Sequence, residues 1–74
     1  MTRLPTLHAR KIIQALERAG FMFDRQTGSH VILRNSATRL TTCVPKHGKD
    51  VKRSLMKEIL RQAGLTEEQF QKLL

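Results

Sequence analysis

The stretch RQTGSHVIL, residues 25–33, is where the chain changes its repeat. Before it, apolar residues recur every three or four positions. From here to Val44 they run together in short blocks. Gln26, Thr27, Gly28 and Ser29 form a polar turn, and His30 opens the run Val31, Ile32 and Leu33. A glycine turn between two short apolar runs predicts an antiparallel hairpin. If Val31 and Leu33 face a core, strand alternation puts His30 and Ile32 on the opposite face.

Working outward, Phe21–Gln26 reads as the strand before this turn. Asn35–Thr38 reads as a second turn, and Arg39–Val44 as a third, β-branched strand that Pro45 stops. Three such strands make an antiparallel meander, with helices on one face and water on the other. Residues 7–19 place Ala9, Ile12, Ile13, Leu16 and Ala19 on one helical face. Thr6 is the expected N-cap, with Pro5 just ahead of it, and Gly20 is the expected stop. Asp50 is the expected cap of a second helix, carrying Val51, Leu55, Met56, Ile59, Leu60 and Ala63 to Gly64. Thr66 and Gln69 fit a capping box, with Leu65 and Phe70 as its hydrophobic staple, so a short third helix follows. The expectation is one α+β domain over residues 1–74. Its order is α-β-β-β-α, that of the double-stranded-RNA-binding domain, with a three-stranded sheet, helices on one face and a short extra C-terminal helix.

The 74 residues carry 14 Lys and Arg against 6 Asp and Glu, a net charge of +8. Between Arg25 and Lys57 there are eight basic residues and one acid, Asp50. A field of that density attracts polyanions, with nucleic acid first and an acidic protein second. A domain this small buries only about 60% of its unfolded surface, so any site is shallow. No apolar run approaches the roughly 20 residues of a membrane span. The first residues lack a signal-peptide core, and the lone Cys43 fits a reducing compartment. The expected location is the cytoplasm.

Histidine titrates near neutrality, so His30 can take a proton from a ribose 2′-hydroxyl or give one to a leaving 5′-oxygen, with no metal. On spacing alone it reads equally as an exposed histidine after a turn. His47 reads as a loop residue that contacts phosphate or solvent, or as a second proton carrier. His8 reads as exposed on the first helix. The histidines lack metal-ligand spacing, so no metal or other cofactor is expected. Ser29 and His30 are adjacent in an extended chain and point apart, so Ser29 serves the turn rather than acting as a nucleophile. Cys43 reads as a small buried hydrophobe. Lys46, His47, Lys49, Lys52 and Arg53 lead into the second helix, whose N-terminal N–H groups favour an anion. They are the candidate phosphate contacts. Phe21, Phe23 and Phe70 read as core, so backbone contact should outweigh base stacking.

These residues resemble the HicA-type toxins, small mRNA interferases of bacterial toxin–antitoxin pairs. The resemblance rests on AGF (Ala19–Phe21), RQ-x-GSH (Arg25, Gln26, Gly28, Ser29, His30), VP-x-H (Val44, Pro45, His47) and ILRQAGL (Ile59–Leu65), in order along nearly the whole chain. It implies a double-stranded-RNA-binding-like fold, metal-independent mRNA cleavage and inhibition by a HicB-type antitoxin, with DNA reached only through the antitoxin complex. It assigns the catalytic histidine to His30, presented by Gly28 and Ser29. The chain departs from the family where the second helix opens: Lys52, Arg53 and Ser54 stand in place of a K-G-T stretch. A non-catalytic RNA-binding module of the same fold, or a domain that binds an acidic protein, accounts for the charge as well. The RNA-binding module leaves a histidine at the end of the glycine turn unexplained.

Overall fold

The computed structural model describes residues 6–46 and 48–74; the expectations for Pro5 and His47 fall outside these residues. Along the chain run β1 (Leu7–His8), α1 (Ala9–Arg18), β2 (Phe21–Thr27), β3 (His30–Asn35), β4 (Thr41–Pro45), β5 (Asp50–Val51), α2 (Arg53–Ala63) and α3 (Glu67–Gln71). Strands β2, β3 and β4 form an antiparallel sheet in chain order. The α-β-β-β-α order and the α+β class agree with the sequence reading. The shortest dimension is 17 Å, which leaves room for one helical layer on one sheet.

Alternation along β3 builds the core. Val31, Leu33 and Asn35 are buried, while His30 and Arg34 are exposed and Ile32 is half-buried. Their inner faces meet Ile12 and Leu16 of α1, Met56 and Ile59 of α2, Val44 of β4 and Phe70 of α3. Phe70 is fully buried, and Thr66 and Gln69 make both bonds of the expected capping box. Leu65 packs against this core, as a staple requires.

Asn35 is buried and holds the turn after β3. Its Nδ2 donates to the Ala19 carbonyl at 3.3 Å, and its Oδ1 accepts from Ala37 N–H at 2.9 Å. Gly20, at φ 101°, lies against it: a Cβ there would stand 3.2 Å from Asn35 Nδ2. Only glycine suits both that backbone angle and that approach.

The structure corrects several expectations. Residues 7–8 pair with residues 50–51, Leu7 opposite Val51 and His8 opposite Asp50. This pairing holds His8 extended, so α1 starts at Ala9 with His8, not Thr6, as N-cap; the His8 Nδ1 accepts from Arg10 N–H at 3.3 Å. His8 is therefore a half-buried cap rather than an exposed helical residue. The same pairing takes Asp50 and Val51 out of α2. That helix begins at Arg53 with Lys52 as N-cap and no side-chain cap bond. Phe23 is 57% exposed rather than core, because β2 is an edge strand left uncovered after Phe21. β4 starts at Thr41, two residues later than expected, and Pro45 lies inside it, opposite His30. Cys43 is half-buried rather than buried, since Thr42 and Val44 take the inward positions.

α2 is locked to β4 by Thr42 and Gln62. The buried Thr42 hydroxyl lies 3.1 Å from the Ile59 carbonyl and 3.0 Å from Gln62 Oε1. The same Oε1 accepts the Cys43 N–H at 3.3 Å. With that N–H capped and Pro45 lacking one, the β4 edge offers little to a foreign strand. Thr42→Val keeps the shape and removes the hydroxyl. The expected result is a stability loss of about 1 kcal/mol, read as a lower denaturant midpoint at unchanged slope. An unchanged midpoint would mean that the Thr42 hydroxyl does not hold α2 to β4.

Candidate active site and nucleic-acid interface

Thr27 pairs with His30, so Gly28 and Ser29 are the two central residues of the hairpin. Gly28 has φ 59° and Ser29 is not among the residues with positive φ. Positive φ at the first central position alone is the pattern of a type II′ turn, which matches the twist of the strands it joins. Gln26 Nε2 donates to the Gly28 carbonyl at 3.0 Å and braces the turn. His30 follows as the first residue of β3, exposed, with Thr27 on one side and Pro45 on the other.

The turn is tied to the basic loop. Lys46 N–H donates to the Ser29 carbonyl at 2.6 Å. This brings the start of the Lys46–Lys52 segment beside the His30 hairpin. Lys46, Lys49 and Lys52 are exposed and Arg53 is half-buried. The first turn of α2 has no acidic residue and no side-chain cap. Its leading N–H groups and helix dipole therefore leave that end of the helix electropositive.

Residues opposite one another in an antiparallel ladder share a face. The register thus sets Arg25 beside Ile32, Met22 beside Arg34, and Thr27 and Pro45 beside His30 on the open side. Arg25 and Arg34 join His30 on that face, and composition alone did not single them out. Arg34 was legible, because it lies an even number of residues from His30. Arg25 was not, because a register shift between Phe23 and Arg25 breaks the count along β2. Arg25 also meets Asp24 at 3.0 Å, both side chains exposed, a pair worth little in water.

Among the described residues no group of three His, Cys, Asp or Glu side chains is placed to hold a metal ion. No helix among them is long and apolar enough to cross a membrane.

This is a small α+β domain with an open, basic sheet face and a histidine at the head of its central strand. A family model described as HicA toxin of bacterial toxin-antitoxin matches residues 9–65. The chain belongs to the HicA toxin family, and is a toxin of the toxin–antitoxin class whose family partner is a HicB-type antitoxin. No curated protein matches the chain.

The turn that presents His30 depends on one backbone angle. A Cβ at Gly28 meets no atom within 4 Å, so the effect of a side chain there is conformational. Gly28→Ala should cost about 1–2 kcal/mol, and Gly28→Asn less, since asparagine tolerates positive φ better. Thermal unfolding of the pair checks this. Equal stability of Gly28→Ala and the parent would contradict the turn assignment.

Proposed function

We propose that this chain, as one domain, is a metal-independent endoribonuclease that cleaves mRNA in the bacterial cytoplasm and is silenced by a HicB-type antitoxin. The observation that carries this reading is the position of His30. It heads the central strand on the open face, one backbone hydrogen bond away from the basic loop, in a member of a toxin family.

In this mechanism RNA lies across the open face. Lys46, Lys49, Lys52, Arg53 and the leading N–H groups of α2 hold its phosphates, with His47 proposed as a further phosphate contact. Neutral His30 takes the proton of a ribose 2′-hydroxyl as the 2′-oxygen bonds to the adjacent phosphorus. The bond from phosphorus to the 5′-oxygen breaks, and that oxygen takes a proton from the imidazolium or from water. Cations beside the site offset the charge that builds on the phosphorane. Gly28 and Ser29 set the position of the imidazole and take no part in the proton transfer. The antitoxin covers the same face, meeting its positive charge with acidic side chains.

The test is incubation of the purified chain with mRNA in the presence of a chelator. The expected products end in 2′,3′-cyclic phosphate, the mark of 2′-hydroxyl attack. RNA that binds and stays intact would favour a non-catalytic RNA-binding module. RNA that does not bind at low salt would favour a domain that binds an acidic protein.

A further inference from the structure

A pocket of about 350 Å³ opens beside Pro45, lined by Pro45, Lys49, Asp50, Val51, Lys52 and Leu55. Its volume lies at the low end of the roughly 300–1,000 Å³ of small-ligand sites, enough for one flat ring system and not for a length of chain. Pro45 is both a wall of this pocket and the residue opposite His30 in the ladder. Directly opposed residues hold their Cβ atoms about 5 Å apart. A group seated in the pocket is thus within a nucleotide's reach of the imidazole.

Pro45, Val51 and Leu55 make the apolar surface. Leu55 is 39% exposed, although its spacing marks it for the core, and the pocket accounts for that exposure. Lys49 and Lys52 supply positive charge at the pocket. Asp50 is the exception: it is the only acid between Arg25 and Lys57. Its main chain is pinned by pairing with His8, and its carboxylate has no hydrogen-bond or ion-pair partner among the described residues. A carboxylate repels a phosphate, so the pocket itself is a poor phosphate site. It suits a flat ring whose edge donates hydrogen bonds and whose backbone phosphates reach the lysines.

We propose that this pocket takes a guanine base of single-stranded RNA next to the phosphate presented to His30. Guanine alone among the four bases shows a carboxylate two adjacent donors, N1–H and the N2 amine. Adenine and cytosine set a ring acceptor beside their amine, and uracil flanks its one donor with two carbonyls. The aliphatic walls cover the base faces in place of aromatic rings. The proposal rests on the reading of this face as an RNA site, and it concerns which base is read, not whether RNA is cut.

The test separates the two. In the His30→Ala background, binding of uridine nonamers carrying one central guanine, inosine, adenine or cytosine is measured by fluorescence anisotropy. Inosine lacks the N2 amine and keeps N1–H. The guanine nonamer should bind on the order of tenfold more tightly than the inosine one, and Asp50→Asn should erase that ratio. Leu55→Ser, at an exposed position, should weaken the guanine nonamer more than plain uridine nonamer. Equal binding of all four, or an undiminished guanine-to-inosine ratio in a folded Asp50→Asn, overturns the proposal. Free GMP that competes as well as the guanine nonamer assigns the pocket to a free nucleotide and overturns it too. If the guanine preference holds while the wild type leaves RNA intact, the base site stands and the cleavage reading fails. If RNA is cut without base preference, only the base site fails.

Discussion

Val31 opposite Val44, and Leu33 opposite both Phe23 and Thr42, hold β3 between its two neighbours, and this register decides which side chains meet water. Side chains alternate along a strand, so a slip of one residue would turn Val31 and Leu33 outward and drive His30 and Arg34 into the helical layer. Burial of Val31 and Leu33, at 4% and 0% exposure, opposes that slip. Fully burying two such side chains stabilises the correct register by about 3–6 kcal/mol. The exposed position of His30 is thus a consequence of the core beneath it. The chemistry proposed for the face draws on the same constraint that stabilises the fold.

A second constraint acts at longer range. The pairing of Leu7 and His8 with Val51 and Asp50 ties the start of the chain to the segment before α2. Together with the bond from Lys46 to Ser29 it fixes both ends of the basic loop. Loops that carry binding groups work best when a rigid scaffold positions them. Here the scaffold on one side is the His30 hairpin and on the other a two-residue ladder. The pocket between Pro45 and Leu55 is a product of that closure.

The parts of the fold written in local pattern were legible in the sequence. The helical stripes of α1 and α2, the Thr66–Gln69 capping box and the alternation of Val31 and Leu33 are each complete within a few residues. The parts that failed depend on distant partners. Nothing near Thr6 or Asp50 announces that residues more than 40 positions apart form a ladder, and the side chains of both suit a helix cap. Phe23 looked like core because hydrophobicity does not say that its strand lies at an edge. The candidate site divides the same way. The GSH motif is contiguous and carries its own turn chemistry, so His30 could be placed on the outer face. Arg25 required knowledge of the bulge, and Asp50 required the fold around the loop.

The most direct measurement compares the wild type with His30→Ala, each followed by thermal unfolding and by mRNA cleavage in a chelator. The two proteins should unfold with free energies equal within about 0.5 kcal/mol, as for an exposed substitution. Cleavage by His30→Ala should fall by at least about a hundredfold, the scale of lost acid–base catalysis. Undiminished cleavage by a folded His30→Ala would contradict the claim that this histidine moves the proton.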